Sequence, residues 1–339
     1  MDRQKLQRLR ERYGERDAFD GDDPVLTRAA REVRSPDGRR GLPYSGVATF
    51  LGLPHRPDAT DLDIAVIGVP MDLGVSNRAG ARFGPRAVRG IERIGPYHPT
   101  LQGVPRARAR AADIGDVPFA SRYSLEQSLK DIEEFYLGLA AKGIRPLSVG
   151  GDHSITYPIL KALGREEPVA LVHIDAHCDT MGGYDGSKFH HGGPFRLAVL
   201  DGVLDPERTI QIGIRGSANM FWEFSHASGM TVIYMEDFLR MGLDAVIAKA
   251  RAVVGEHPLY VSVDVDGFDP AYAPGTGTPE AGGLEAREGL ALLRGLKGLN
   301  IIGADVVEVA PQYDPTTNTA QLAGQILFEE FALMTLGRE

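Results

Sequence analysis

From Leu62 onward, short β-branched runs alternate with stretches long enough for helices, and this alternation most narrows the folds open to the chain. Runs bounded by Gly or acidic residues predict strands at 62–69, 109–114, 145–149, 169–174, 209–214, 231–234, 260–265 and 301–309. Between them, helices are predicted at 85–94, 125–142, 156–163, 243–254, 286–296 and 320–336. Repeated βα units specify an α/β fold, a three-layer αβα sandwich around a mostly parallel sheet of about eight strands. Ligands in such sheets sit beyond the carboxyl ends of the strands. The polar motifs of this chain begin where its apolar runs stop.

The first 60 residues break that pattern. They open with a charged helix over 5–12 and turn rich in Arg, Asp, Pro and Gly, as in Arg34-Ser35-Pro36-Asp37-Gly38. Residues 1–60 are therefore expected to form an N-terminal arm for subunit contacts or a partly disordered tail, with residues 61–339 as the catalytic domain. A formal charge of −9 argues against a nucleic-acid surface. It suits a cation-attracting pocket, although most of it is expected to serve solubility. Cys178 is the single cysteine, so no intrachain disulfide forms. The charged N-terminus lacks the apolar stretch of a signal peptide, and no apolar run approaches the roughly 20 residues of a membrane span. A cytoplasmic enzyme is expected, with no nucleic-acid or membrane partner.

Three strand ends carry the chemistry. Val169-Ala170-Leu171-Val172-His173-Ile174 reads as a buried strand, followed by Asp175, His177 and Asp179 at every second position. In extended chain those side chains share one face. Converging carboxylates and imidazole repel or suffer desolvation unless a cation holds them. The bland alternative, surface alternation on an edge strand, fits poorly after so apolar a run. Leu259-Tyr260-Val261-Ser262-Val263-Asp264-Val265-Asp266 ends the same way, with acids two apart. In Leu147-Ser148-Val149-Gly150-Gly151-Asp152-His153-Ser154, a glycine turn sets His153 at a third strand end. That turn lacks a dinucleotide fingerprint, and its acid is unsuited to an anion. His153, Asp175, His177, Asp179, Asp264 and Asp266 exceed what one small cation takes from protein. They suit two ions roughly 3.5–4 Å apart. Oxygen-rich ligation with some imidazole favours Mn²⁺ and also admits Ni²⁺, Co²⁺ or Zn²⁺.

These three motifs together resemble the ureohydrolase family, which holds arginase, agmatinase and the guanidino-acid hydrolases. The resemblance runs from about Asp63 to the C-terminus. It includes Asn77-Arg78-Ala79-Gly80-Ala81-Arg82-Phe83-Gly84-Pro85, Ile212-Gly213-Ile214-Arg215-Gly216-Ser217 and Ala273-Pro274-Gly275-Thr276-Gly277-Thr278-Pro279-Glu280. These longer stretches resemble the agmatinase branch more than arginase. The resemblance implies one ion held by His153, Asp175, Asp179 and Asp264, and another by Asp175, His177, Asp264 and Asp266. It also implies a trimer or hexamer of identical chains. The implied reaction is hydrolysis of a guanidino group to urea plus an amine. Hydroxide at neutral pH comes from water whose pKa the ions lower to roughly 7. By the same resemblance Asp179 relays the proton to the leaving amine, His191 shuttles protons or contacts substrate, and Glu308 binds the guanidinium edge-on.

The substrate is less constrained. The loop 180–189 lies between two site motifs and is expected to shape the far end of the pocket. Arginases carry an asparagine where this chain has Met181, which argues against arginase activity. Agmatine's ammonium would suit Asp185. The carboxylate of a guanidino acid such as guanidinobutyrate or guanidinopropionate would suit Lys188 or Arg215. Guanidine, or small N-substituted guanidines and biguanides cleaved with nickel, would need an apolar pocket closed by Tyr184, Phe189 and Trp222. For each loop residue a plain exposed position competes with these roles. His190 is expected to face solvent, Cys178 to pack in the core, and His173 to be a satisfied core histidine. Rival classes are a single-metal deacylase, a non-catalytic subunit of a hetero-oligomer and a nucleotide-binding module. Two acidic strand ends plus His153, an intact ligand set and a missing phosphate fingerprint weigh against them in turn.

Overall fold

The computed structural model describes residues 2–17, 21–32, 44–92, 94–217 and 219–337. The stretch Arg34 to Gly38 lies outside the described residues. Eight strands form the sheet: β1 (Ile64–Val69), β2 (Ala111–Asp116), β3 (Arg145–Gly150), β4 (Val169–Ile174), β5 (Leu204–Ile214), β6 (Thr231–Tyr234), β7 (Leu259–Asp264) and β8 (Ile301–Val307). The helices are α1 (Arg3–Tyr13), α2 (Pro24–Glu32), α3 (Gly84–Arg89), α4 (Leu125–Ala140), α5 (Thr156–Leu163) and α6 (Pro194–Leu200). They continue with α7 (Glu223–Ser228), α8 (Met235–Met241), α9 (Leu243–Val254), α10 (Ala286–Arg294) and α11 (Asn318–Leu336).

The sheet order is β2-β1-β3-β8-β7-β4-β5-β6, and every pairing is parallel. A parallel sheet must be covered on both faces. Alternate strand residues accordingly enter two separate cores. Ile64, Val66, Val172 and Val261 pack with α9, α10 and α11 through Val246, Leu292, Ile326 and Phe331. Ala65, Ile67, Leu171 and Tyr260 pack with α4, α5 and α6 through Ile132, Ile159 and Phe195. This is the expected αβα sandwich.

Helix α1 has no buried residue. Further along the expected arm, Phe50 and Leu53 are buried in the main core, and the Phe50 N–H donates to Asp113 at 3.0 Å. Among the described residues, burial in the main core begins at Phe50. No helix among the described residues is long and apolar enough to cross a membrane.

Candidate metal centre

Strands β3, β8, β7 and β4 are neighbours in the sheet, and each delivers a site residue at its carboxyl end. His153 follows β3, Glu308 follows β8, Asp264 ends β7, and Asp175 follows β4. Backbone approach sets the β3 turn. The Gly151 N–H donates to the Val69 carbonyl at 2.9 Å, and a Cβ on Gly151 would lie 1.8 Å from the Met71 carbonyl oxygen. Asp152 caps this turn, accepting from the Ser154 N–H at 2.9 Å and the Gly74 N–H at 2.8 Å.

The six sequence-predicted ligands converge. His153 Nδ1 lies 3.2 Å from Asp175 Oδ2, 2.9 Å from Asp179 Oδ2 and 3.4 Å from Asp264 Oδ2. His177 Nδ1 lies 3.4 Å from Asp175 Oδ1 and 3.3 Å from Asp266 Oδ2. Asp175 thus turns one oxygen toward each histidine. Ligand atoms of Asp175, His177 and Asp266 lie within 4.8 Å of one another, as do those of His153, His173 and Asp175. His153 Nδ1 is fully buried and has no hydrogen-bond partner. An unpartnered imidazole nitrogen facing three carboxylates is the donor set a divalent cation completes.

Titration behaviour points the same way. Burial pushes Asp266 up to about 6 against the pull of His177. Burial, together with Asp266 and Asp175, pushes Asp264 well above the carboxylate range. Burial also penalises an ionised Asp175, but His173, His153 and His177 outweigh it and hold Asp175 well below that range. Carboxylates packed as closely as Asp175, Asp264 and Asp266 ionise together only beside a compensating positive charge.

Glu308 Oε1 accepts from the His153 N–H and from His191 Nδ1, each at 2.9 Å, while Oε2 is buried and unpartnered. His191 Nε2 meets the Ser76 hydroxyl at 2.7 Å. Burial alone would lower His191, but Glu308, Asp179 and Asp152 outweigh it and raise it to about 9. The adjoining cavity is lined by Ser76, His177, Asp179, Met181, His191 and Trp222, among others.

The substrate candidates divide. Met181 and Trp222 line the cavity. Tyr184, Asp185 and Lys188 are exposed on the loop, with Lys188 Nζ 4.6 Å from the Phe189 ring centroid. Arg215 needs correction as a carboxylate receptor. The residue is 6% exposed, and its guanidinium donates to the backbone carbonyls of Gly213, Asp266, Gly267, Phe268 and Glu280. It clamps the site loops and has no face left for substrate. Phe189 stacks on Tyr157 instead of closing the cavity. His190, expected in solvent, is buried and bonds the Gly182 carbonyl at 2.8 Å. Cys178 packs with Ile214 and Trp222, and burial pushes its thiol up to about 12. His173 is a satisfied histidine, bonded to Asp175 Oδ2 at 2.8 Å.

Ser76, Thr278 and Phe221 were not anticipated. Ser76 and Phe221 line the cavity, and the Thr278 hydroxyl donates to Asp266 at 3.1 Å. Thr278 and Ser76 sit in or beside motifs quoted above, but nothing in their spacing marks them as contacts.

The arginase family profile matches residues 62–332. The guanidinopropionase of Pseudomonas aeruginosa is 48% identical over 295 residues, covering 86% of this chain and 92% of that one. The mitochondrial agmatinase of Gallus gallus is 45% identical, covering 85% and 86%. Among solved structures, proclavaminate amidino hydrolase from Streptomyces clavuligerus superposes with a TM-score of 0.85 at 37% identity, covering 88% of this chain and all of that one. With the fold, the clustered ligands and these likenesses in agreement, the chain belongs to the arginase family, the ureohydrolases, whose members hydrolyse amidino carbon–nitrogen bonds.

Proposed function

We propose that this chain hydrolyses a small guanidino compound to urea and an amine at a centre of two divalent metal ions, Mn²⁺ in the first instance and Ni²⁺ as the alternative. The observation that carries the reading is the unpartnered His153 Nδ1 facing Asp175, Asp179 and Asp264, with the free Glu308 Oε2 nearby. His153, Asp175, His177, Asp179, Asp264 and Asp266 would hold the ions. Bound ions supply hydroxide at neutral pH and a positive field for developing charge.

The protein's own groups do the rest. Glu308 receives the guanidinium, which stays charged because its pKa exceeds about 12. Its other oxygen is tied to the His153 backbone and to His191, so the receptor is fixed before substrate arrives. Asp179 takes up the nucleophile's proton and passes it to the departing amine. His191 stands between Glu308 and Ser76, with Nδ1 on Glu308 and Nε2 accepting the Ser76 N–H at 3.2 Å, and is placed to exchange protons with the cavity.

An agmatinase-like specificity is our first reading, and the charge balance supports it: Arg215 is committed to carbonyls and Lys188 is turned to its own loop. A guanidino-acid hydrolase is the second, favoured by the 48% identity to a guanidinopropionase. Assembly into a trimer or hexamer, through an arm within residues 1–60, and a cytoplasmic location complete the proposal. The test is urea release from agmatine, guanidinobutyrate, guanidinopropionate, arginine and guanidine, with Mn²⁺ and Ni²⁺ compared. Release from agmatine or a guanidino acid is expected. No urea from any member of the panel under either metal would overturn the reading and favour a non-catalytic subunit.

A further inference from the structure

One residue layer beneath the ligands, a row of polar side chains crosses the middle of the sheet. Gln211 on β5 is opposite His173 on β4, His173 is opposite Ser262 on β7, Ser262 is opposite Asp305 on β8, and Asp305 is opposite Ser148 on β3. All five are fully buried. The interior of a parallel sheet is otherwise apolar, and an unpaired polar group there costs free energy. Each member of the row is bonded, and two of the bonds lead up to metal ligands.

The direction of one chain of bonds is fixed by its far end. Asp305 Oδ2 accepts from the Tyr260 hydroxyl at 2.8 Å and the Thr156 hydroxyl at 2.7 Å, and Oδ1 accepts from the Ser262 hydroxyl at 2.6 Å. With its proton committed to Asp305, the Ser262 oxygen accepts from His153 Nε2 at 2.9 Å. A neutral His153 therefore keeps its proton on Nε2, which leaves Nδ1, unpartnered and facing Asp175, Asp179 and Asp264, as the nitrogen able to ligate. The other ring nitrogen's hydrogen bond decides which nitrogen can ligate.

We propose that Asp305 is a positioning residue for the metal centre: acting through Ser262, it sets both the orientation of the His153 ring and the nitrogen left free to bind the ion. This rests on the two-metal reading above. Removal and reversal of the chain have different consequences. Ser262→Ala leaves Nε2 without its acceptor. Asp305→Asn inverts the bonds. Two hydroxyls hold the amide oxygen at the Oδ2 position, so the NH₂ faces Ser262, whose hydroxyl must then donate to His153 Nε2. The ring proton moves to Nδ1 and faces the ion.

The experiment is Mn²⁺ titration of the metal-free full chain, with free Mn²⁺ followed by electron paramagnetic resonance. Wild type should take up two ions. S262A should weaken one of them by about tenfold and D305N by about a hundredfold, the range typical of outer partners of metal-bound histidines. Tyr260→Phe removes a hydroxyl from Asp305 without touching the chain to His153, and should leave both affinities unchanged. If S262A binds both ions as wild type does, or Y260F loses as much as D305N, the proposal is wrong. Should D305N fail to fold, S262A against Y260F still decides it. A wild-type chain that takes up neither Mn²⁺ nor Ni²⁺ would instead remove the two-metal reading itself.

Discussion

Asp179 and Glu308 both hold the backbone at positive φ, 50° and 64°. A left-handed conformation in a non-glycine residue costs of order 1–3 kcal/mol and persists where surroundings enforce it, often at functional sites. Here both residues are ones we assign to the reaction. For Glu308, the charge on the free oxygen should matter most. Glu308→Gln retains an acceptor for His153 and His191 but loses the charge opposite the guanidinium. A charged hydrogen bond worth about 2–3 kcal/mol predicts a loss of roughly a hundredfold in kcat/KM, with bound metal unchanged by elemental analysis. A loss confined to metal content would show that Glu308 serves the ions and not the substrate. At this scale the sequence is most informative where period and composition coincide. Asp175, His177 and Asp179 declare themselves by their alternation after an apolar run. Ser76 does not, because its partner His191 lies 115 residues away and only the folded chain brings them together. Arg215 misleads because a cation in a site motif looks available until its carbonyl partners are placed.

The elements are legible wherever an apolar period runs for several residues, and their ends are not. Strand β5 starts at Leu204, ahead of the expected 209, because Leu204-Asp205-Pro206-Glu207-Arg208 has the composition of a loop yet pairs with β4 through Val169 and Leu204. Strand β8 stops at Val307, since Glu308 turns left-handed. Helices α6, α7 and α8 span only six or seven residues, too few to show a period. Two predictions belong to this scale. Gly151→Ala places a methyl against the Met71 carbonyl, which is backbone and cannot swing aside. Its cost should exceed about 4 kcal/mol, measured as lost soluble yield or a large fall in Tm. A variant obtained in wild-type yield with an unchanged Tm would mean that the turn relaxes freely. Helix α11 is pinned by Glu329, which meets His98 Nε2 at 2.7 Å and Arg294 Nε at 3.0 Å. Burial pushes this carboxyl up, but His98 and Arg294 outweigh it and hold it below the ordinary value. A depressed carboxylate contributes stability above its unfolded pKa of about 4.3, and that contribution disappears as pH falls through the folded value. Urea unfolding midpoints should therefore drop for wild type below about pH 4.3, and Glu329→Gln should flatten that part of the profile while lowering stability at pH 7. Parallel profiles for the two proteins would exclude Glu329 as a source of acid lability.

For the molecule as a whole, the ligand cluster ties stability to metal. Ions that bind only the folded chain stabilise it by mass action, about 2.7 kcal/mol for each site at a hundred times its Kd. Chelation should lower Tm and Mn²⁺ should restore it, in differential scanning calorimetry at fixed pH. A Tm indifferent to chelator would argue that the centre contributes nothing to the fold. The sandwich and its two covered faces follow from the βα alternation, whereas the strand order does not, because any of several crossings satisfies the same period. That order has a temporal consequence. The last strand in sequence, β8, is not at an edge but is wedged between β3 and β7. Until it arrives, β2-β1-β3 and β7-β4-β5-β6 are two slabs with no strand pairing between them, and His153 sits on a different slab from every aspartate it must meet. A nascent chain, or one cut short near residue 300, can finish neither its sheet nor its centre; the enzyme becomes competent only when its final strand drives home like a keystone.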